Sequence, residues 1–269
     1  MSDTLALVVF DWAGTTTDYG SQAPVHVFDR MFKARGLSFD RADINAPMGM
    51  EKRAHIRAML STDKGSALWR QAQGRDWTEA DVDALYESFE ETLRQVVAEY
   101  SHPIPGVPET VEELRKMGLK IGSTTGYTAE IMDLVAPVAA REGYAPDCIV
   151  TPDQTDGLGR PTPFMLYACM QRLRVWPANR VVKVGDTLSD IREGKSAGAW
   201  AIGILTGSNL VGLDQTEAET LPAEQVEARK ADARQAYLKA GADLVIDSIR
   251  DLPEAIRTLN ARLTAEAAQ

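Results

Sequence analysis

Short apolar runs, each stopped by Gly, Pro, Asp or Thr and followed by a polar or helical segment, limit what this chain can fold into more than any other feature. Four stand out, at residues 5–10, 119–123, 148–150 and 181–184. Continuous apolar runs of this length read as strands buried on both faces of a parallel sheet. Residues 199–204 and 242–246 read as two more, and helical patterns such as 107–117 and 163–173 lie between them. Strand alternating with helix predicts an α/β fold with a doubly wound parallel-sheet (Rossmann-like) core.

Residues 20–100 break this rhythm. They show helical spacing at Val27 and Met31, and again at Leu85, Phe89, Leu93, Val96 and Val97, with no convincing strand. They are expected to form an inserted helical cap domain after the first strand. Pro103, Pro105 and Pro108 cannot continue a helix and mark the return to the sheet. The expected organisation is therefore a core built from 1–19 and 101–269, interrupted by a cap at 20–100, at a length where chains begin to divide into domains. Residues 216–240, rich in Glu, Ala, Gln and Arg, read as one solvated helix.

With a formal net charge of −10, the chain repels nucleic acid and anionic membrane, so an anionic substrate has to be held by local positive groups. No apolar run approaches the ~20 residues that span a bilayer. Residues 1–6 lack the marks of a signal peptide. The two cysteines, Cys148 and Cys169, are not a close pair in sequence, which argues against a disulfide framework or a zinc site and for a reduced cytoplasmic setting. A soluble protein with no nucleic-acid or membrane partner is expected.

In an open parallel sheet the active site lies at the carboxyl ends of the strands. The residues there form a set: Asp11-Trp12-Ala13-Gly14-Thr15-Thr16, then Thr124-Thr125-Gly126, then Gly185-Asp186-Thr187-Leu188-Ser189-Asp190. Asp186 and Asp190 are four apart and would share one side of a helix beginning at that turn. Three carboxylates meeting at one place need a cation between them, and hard oxygen ligands with room for water and a phosphate oxygen suit Mg²⁺. A lone aspartate after a strand is often only a turn former or helix cap. The whole set is harder to explain that way.

These segments, with Gly159-Arg160-Pro161, resemble the four ordered motifs of the haloacid dehalogenase superfamily over nearly the whole chain. That resemblance implies Asp11 as nucleophile and metal ligand, Thr125 and Gly126 as phosphoryl binders, Arg160 as the partner of the charge at phosphorus, and Asp186 and Asp190 as magnesium ligands. The carbonyl of Ala13 is implied as a further ligand by analogy. Phosphatases of the superfamily usually carry a second aspartate two residues after the nucleophile, as acid to the leaving alkoxide. A methyl group at Ala13 cannot protonate anything.

The insertion offers a substitute. On a helix through residues 47–56, Met48 and Lys52 would stand at i and i+4, and Lys52 and His55 at i and i+3, so a thioether, an amine and an imidazole would share a face. Taken singly, such a lysine is usually a solvated charge and such a histidine a packing residue. Together with residues 11–15 and 122–128, the segment resembles the phosphonoacetaldehyde hydrolase (phosphonatase) family. What this implies is cleavage of a carbon–phosphorus bond in a small phosphonate: Lys52 forms a Schiff base with the aldehyde, Asp11 takes the phosphoryl group, and the iminium accepts the electron pair of the broken bond. His55 is expected to move protons and Met48 to pack near the amine, while Tyr127 is given no role. The family also implies a homodimer contacting through the cap. Because only a neutral amine attacks an aldehyde, the Lys52 pKa is expected to fall from ~10.4 to roughly 7 or 8 through burial and the positive charge of Arg160 and magnesium. An ordinary phosphatase, a metal-free dehalogenase and an inert phosphate-sensing module are the competing readings. Ala13 weighs against the first, the paired Asp186 and Asp190 against the second, and the complete motif set against the third.

Overall fold

The computed structural model describes residues 4–48 and 50–267; Gly49 of the segment bearing Lys52, and residues 1–3 of the amino-terminal segment, lie outside it. Six parallel strands form one sheet: β1 (Leu7–Phe10), β2 (Lys120–Thr124), β3 (Cys148–Val150), β4 (Val181–Gly185), β5 (Trp200–Ile204) and β6 (Leu244–Ile246), in the order β3-β2-β1-β4-β5-β6. Each matches one of the six apolar runs, with its ends shifted by two residues at most; β2 and β4 extend one residue past theirs. The strand order reverses direction between β1 and β4, which pair in register from Leu7 opposite Val181 to Phe10 opposite Val184. A crevice opens at such a switch point beyond the carboxyl ends.

Between β1 and residue 100 run five α-helices and, among the described residues, no strand: α1 (Gln22–Ala34), α2 (Arg41–Asn45), α3 (Lys52–Leu60), α4 (Asp63–Gln73) and α5 (Glu79–Val96). This is the helical cap. Val27, Phe28 and Met31 of α1 pack against Leu85, Phe89 and Leu93 of α5, and this apolar seam is continuous with the sheet core at Val8, Phe10 and Ile121. The remaining helices alternate with strands: α6 (Val107–Lys116), α7 (Ala129–Arg141), α8 (Phe164–Leu173), α9 (Leu188–Ser196), α10 (Gln215–Thr220), α11 (Ala223–Lys239) and α12 (Leu252–Ala267). Helix α8 covers Leu7 and Val9 on one face of the sheet. Ile256 and Leu259 of α12 join Val8 and Phe10 on the other.

Three expectations need correction. Residues 216–240 are two helices rather than one, because Pro222 has no amide to continue the hydrogen-bond ladder beyond Thr220. Met48 is not on the helix of Lys52: the Glu51 carboxylate accepts from the amides of Arg53 and Ala54 and starts α3 at Lys52, leaving Met48 in the turn before it. Asp186 is likewise outside α9, since Thr187 is its N-cap and Asp190 sits at the third helical position of a capping box.

Candidate active site

The loop after β1 is wound on itself so that Asp11 faces the crevice. The Trp12 carbonyl accepts the amides of Thr15, Thr16 and Thr17 at 3.0, 2.8 and 3.0 Å, and the Thr16 hydroxyl donates to the Asp11 carbonyl at 2.9 Å. The turn requires Gly14 at φ 83°, and a methyl group there would collide with Asp186 Oδ2 and Ser21 Oγ. Asp18 then closes the entry to the cap, its carboxylate accepting from Gln22 N at 2.8 Å and Ala23 N at 3.0 Å at the start of α1.

Register brings the predicted set together. One oxygen each of Asp11, Asp186 and Asp190 can be chosen so that all lie within 4.8 Å of one another, and all three residues are buried. Asp186 accepts from the Thr15 hydroxyl at 3.0 Å and from the amide of Asn209 at 2.8 Å. Burial, with repulsion from Asp11 and Asp190 behind it, pushes its carboxyl well above the usual carboxylate range. A divalent cation would relieve the same strain without a proton, so the donor set fits one. Asp190 is different. Burial pushes it up, but Arg160, Lys183 and the Thr187 hydroxyl outweigh that and hold it below its ordinary value.

Arg160 reaches the site from the segment before α8. Its Nη2 donates to Asp11 Oδ1 at 2.6 Å and to the Thr124 carbonyl at 2.7 Å, while Nε donates to Glu193 Oε2 at 3.1 Å. Behind it stands Lys183, fully buried in β4, with Nζ 3.0 Å from Asp190 Oδ1, 3.2 Å from Glu193 Oε2 and 2.8 Å from Thr124 Oγ1. Sequence reading missed Lys183 and Glu193. The signals were present: a lysine within an apolar run that becomes a buried strand must find a counter-charge, and Glu193 lies three residues beyond Asp190 on the same helical face.

The cap supplies the amine. Lys52 is 6% exposed, with Nζ 3.8 Å from Met48 Sδ and 5.5 Å from the centre of the Tyr127 ring. Met48 thus approaches the amine although the two are not on one helix. Burial lowers the Lys52 pKa to about 8, with Asp11 opposing and Arg160 reinforcing the shift, within the range expected from its proposed role. His55 lies on the same helix, its ring centre 4.0 Å from that of Phe28, and burial followed by the charge of Lys52 pushes it well below 6.5, so it is neutral. Asp11, Ala13, Lys52, Thr125, Gly126 and Arg160 all line one small pocket. Tyr127 lines it too, held by its amide to Thr125 Oγ1 at 3.1 Å. The two cysteines, distant in sequence, approach at 3.5 Å between sulfurs where α8 crosses β3.

The sequence matches the haloacid dehalogenase-like hydrolase family over residues 5–198, and an overlapping HAD-like hydrolase family over 157–252. It is 44% identical to a phosphonoacetaldehyde hydrolase of Bacillus cytotoxicus, over 93% of this chain and 94% of that protein. It is 46% identical, over 92% of this chain and 39% of the other, to a bifunctional phosphonoacetaldehyde hydrolase/aminoethylphosphonate transaminase of Clostridioides difficile. Among solved structures, a phosphonoacetaldehyde hydrolase-like protein from Oleispira antarctica superposes with a TM-score of 0.93 at 37% identity, covering 97% of this chain and 95% of that one.

Proposed function

The chain belongs to the haloacid dehalogenase-like hydrolases and, within them, to the phosphonoacetaldehyde hydrolase family, and from that premise we propose that it hydrolyses phosphonoacetaldehyde to acetaldehyde and phosphate. The observation that carries this reading is a buried amine, Lys52, lining the same pocket as the Asp11 carboxylate. A phosphate ester would need an acid near Ala13 rather than an amine.

In this reading Lys52 Nζ attacks the aldehyde carbon and, with loss of water, forms an iminium. Neutral His55 on the same helix relays the protons of that step, and Met48 offers the amine a soft contact without a competing charge. An Asp11 carboxylate oxygen attacks phosphorus in line. The carbon–phosphorus bond breaks and its electron pair flows into the iminium, leaving an enamine on Lys52 and a phosphoryl group on Asp11. Protonation of the enamine carbon and hydrolysis release acetaldehyde and restore the amine. Water then attacks the aspartyl-phosphate and frees phosphate.

Arg160 orients the Asp11 carboxylate and balances the charge at phosphorus as a planar, always-charged fork. Thr125 and Gly126, at the end of β2, supply donors for the phosphoryl oxygens. Asp11, the Ala13 carbonyl, Asp186 and Asp190 would hold Mg²⁺, with Asp190 also pinned by Arg160 and Lys183. When bound, that ion would supply charge neutralisation between the two anions that must meet. A small phosphonate is the only partner the mechanism requires; a homodimer through the cap is proposed on the family's behaviour.

Borohydride decides the Schiff base. Inactivation should occur only with acetaldehyde or substrate present, and peptide mapping should place the adduct on Lys52. An adduct on another lysine, or none, removes the mechanism. Failure to release phosphate from phosphonoacetaldehyde, with release from a simple phosphomonoester instead, removes the substrate.

A further inference from the structure

Beside the catalytic pocket lies a much larger cavity of about 730 Å³, between α2 with the turn that follows it and the start of α9 with the loop after β5. The two spaces share Met48 and Thr187 as a common wall. We propose that this cavity is a second anion site, a vestibule that takes a phosphonate or phosphate dianion on its way to and from Asp11.

Charge is the first argument. Arg41, Arg192 and Arg229 face the cavity with Glu217 as the acid among its lining residues, in a chain whose net charge is −10. Glu217 is already engaged, accepting the Asp214 amide at 2.9 Å, and its contact with Arg41 is long, at 3.5 Å. Arg192 and Arg229 make no ion pair among the described residues. A dianion approaching an acidic protein is repelled except where such a patch reverses the local field.

The second argument is independent of charge. Asn209 is 2% exposed, yet its side-chain Nδ2 has no hydrogen-bond partner, and Nε and Nη2 of Arg41 are also buried without one. Leaving such donors unmade is costly unless something accepts from them. Asn45, with an equally unpartnered amide oxygen on the same wall, can present its NH₂ by a half-turn. Several donors around one cavity, without a protein acceptor, fit a tetrahedral oxyanion.

Asn209 also connects the vestibule to the catalytic centre, because its backbone amide donates to Asp186 Oδ2 at 2.8 Å. An anion held by its side chain would therefore sit one residue from a proposed magnesium ligand. That the anion is the substrate's own phosphonate rests on the proposed function; that the cavity binds an oxyanion does not.

Two measurements test the site. Crystals of the full chain soaked in tungstate, a heavy analogue of phosphate, should show anomalous density within hydrogen-bonding distance of Arg41 and Asn209, and Arg192→Gln/Arg229→Gln should weaken it. Both substituted residues are exposed, so the fold should survive; Arg41→Gln serves as a second variant. In steady-state assays the double variant should lose about ten-fold in kcat/KM for phosphonoacetaldehyde, keep kcat within two-fold, and show a flatter decline with added salt. Tungstate at Asp11 alone, or wild-type kcat/KM with wild-type salt dependence, overturns the proposal. A wild-type protein inert toward phosphonoacetaldehyde overturns the proposed substrate instead, and the tungstate result still decides the vestibule.

Discussion

Holding an amine ready for chemistry should make this protein less stable than it could be, and Lys52→Met measures by how much. The buried ammonium titrates at about 8 in the folded chain against a reference of 10.5. At pH 7 both folded and unfolded chains carry the proton, and the folded state bears the full cost of burying it, about 3 kcal/mol at ~1.4 kcal/mol per decade. As pH rises from about 8 toward 10.5 the folded chain has released the proton while the unfolded chain still binds it, so stability climbs with pH. Methionine fills a similar volume with no charge and escapes this cost. Lys52→Met should therefore be more stable than wild type by up to ~3 kcal/mol at pH 7, with the advantage shrinking to about 1.4 kcal/mol at pH 9.5. The rings of Tyr127 and Phe28, 5.5 and 6.0 Å from Nζ, favour the ammonium and are lost as cation partners, which trims the absolute gain by ~0.5–2 kcal/mol. The pH trend is consequently the signature. Urea unfolding of both proteins between pH 7 and 9.5 reads it directly. A difference that does not change with pH, or one that grows as pH rises, refutes the picture of a desolvated ammonium.

Three further outcomes follow from the same geometry. The rate of imine trapping with acetaldehyde and borohydride should rise with pH through about 8, since the neutral amine is the attacking form; a midpoint near 10.5 would mark Lys52 as an ordinary lysine. Lys183→Met leaves Asp190 and Glu193 to share Arg160 and should cost ~3–5 kcal/mol, as breaking a buried ion pair does, part of which Lys183→Met/Glu193→Gln should restore; unchanged urea midpoints would contradict this. Gly14→Ala combines a positive φ with a clash at Asp186, so activity should fall at least a hundred-fold in a protein that still folds cooperatively, and near-normal turnover would show that the loop is softer than described.

Much of the architecture was legible because it is written in local pattern. Six apolar runs became six strands, and the chemistry-bearing residues Asp11, Thr125 and Asp186 stood directly at their ends, where a parallel sheet must place its site. Lys52 was legible as a candidate from its neighbours, though the helix drawn through Met48 was not, since one glutamate side chain decided where that helix begins. The tertiary structure alone decided which distant groups meet. Lys183 and Glu193 lie 59 and 69 residues from Thr124, and only the pairing of β1 with both β2 and β4 brings all three beside Arg160. Burial is the other quantity the chain order does not carry. An amine on a short helix is a solvated charge until α1 and Tyr127 close over it, and that desolvation, set by packing across the cap and the sheet, is what lowers the Lys52 pKa to about 8.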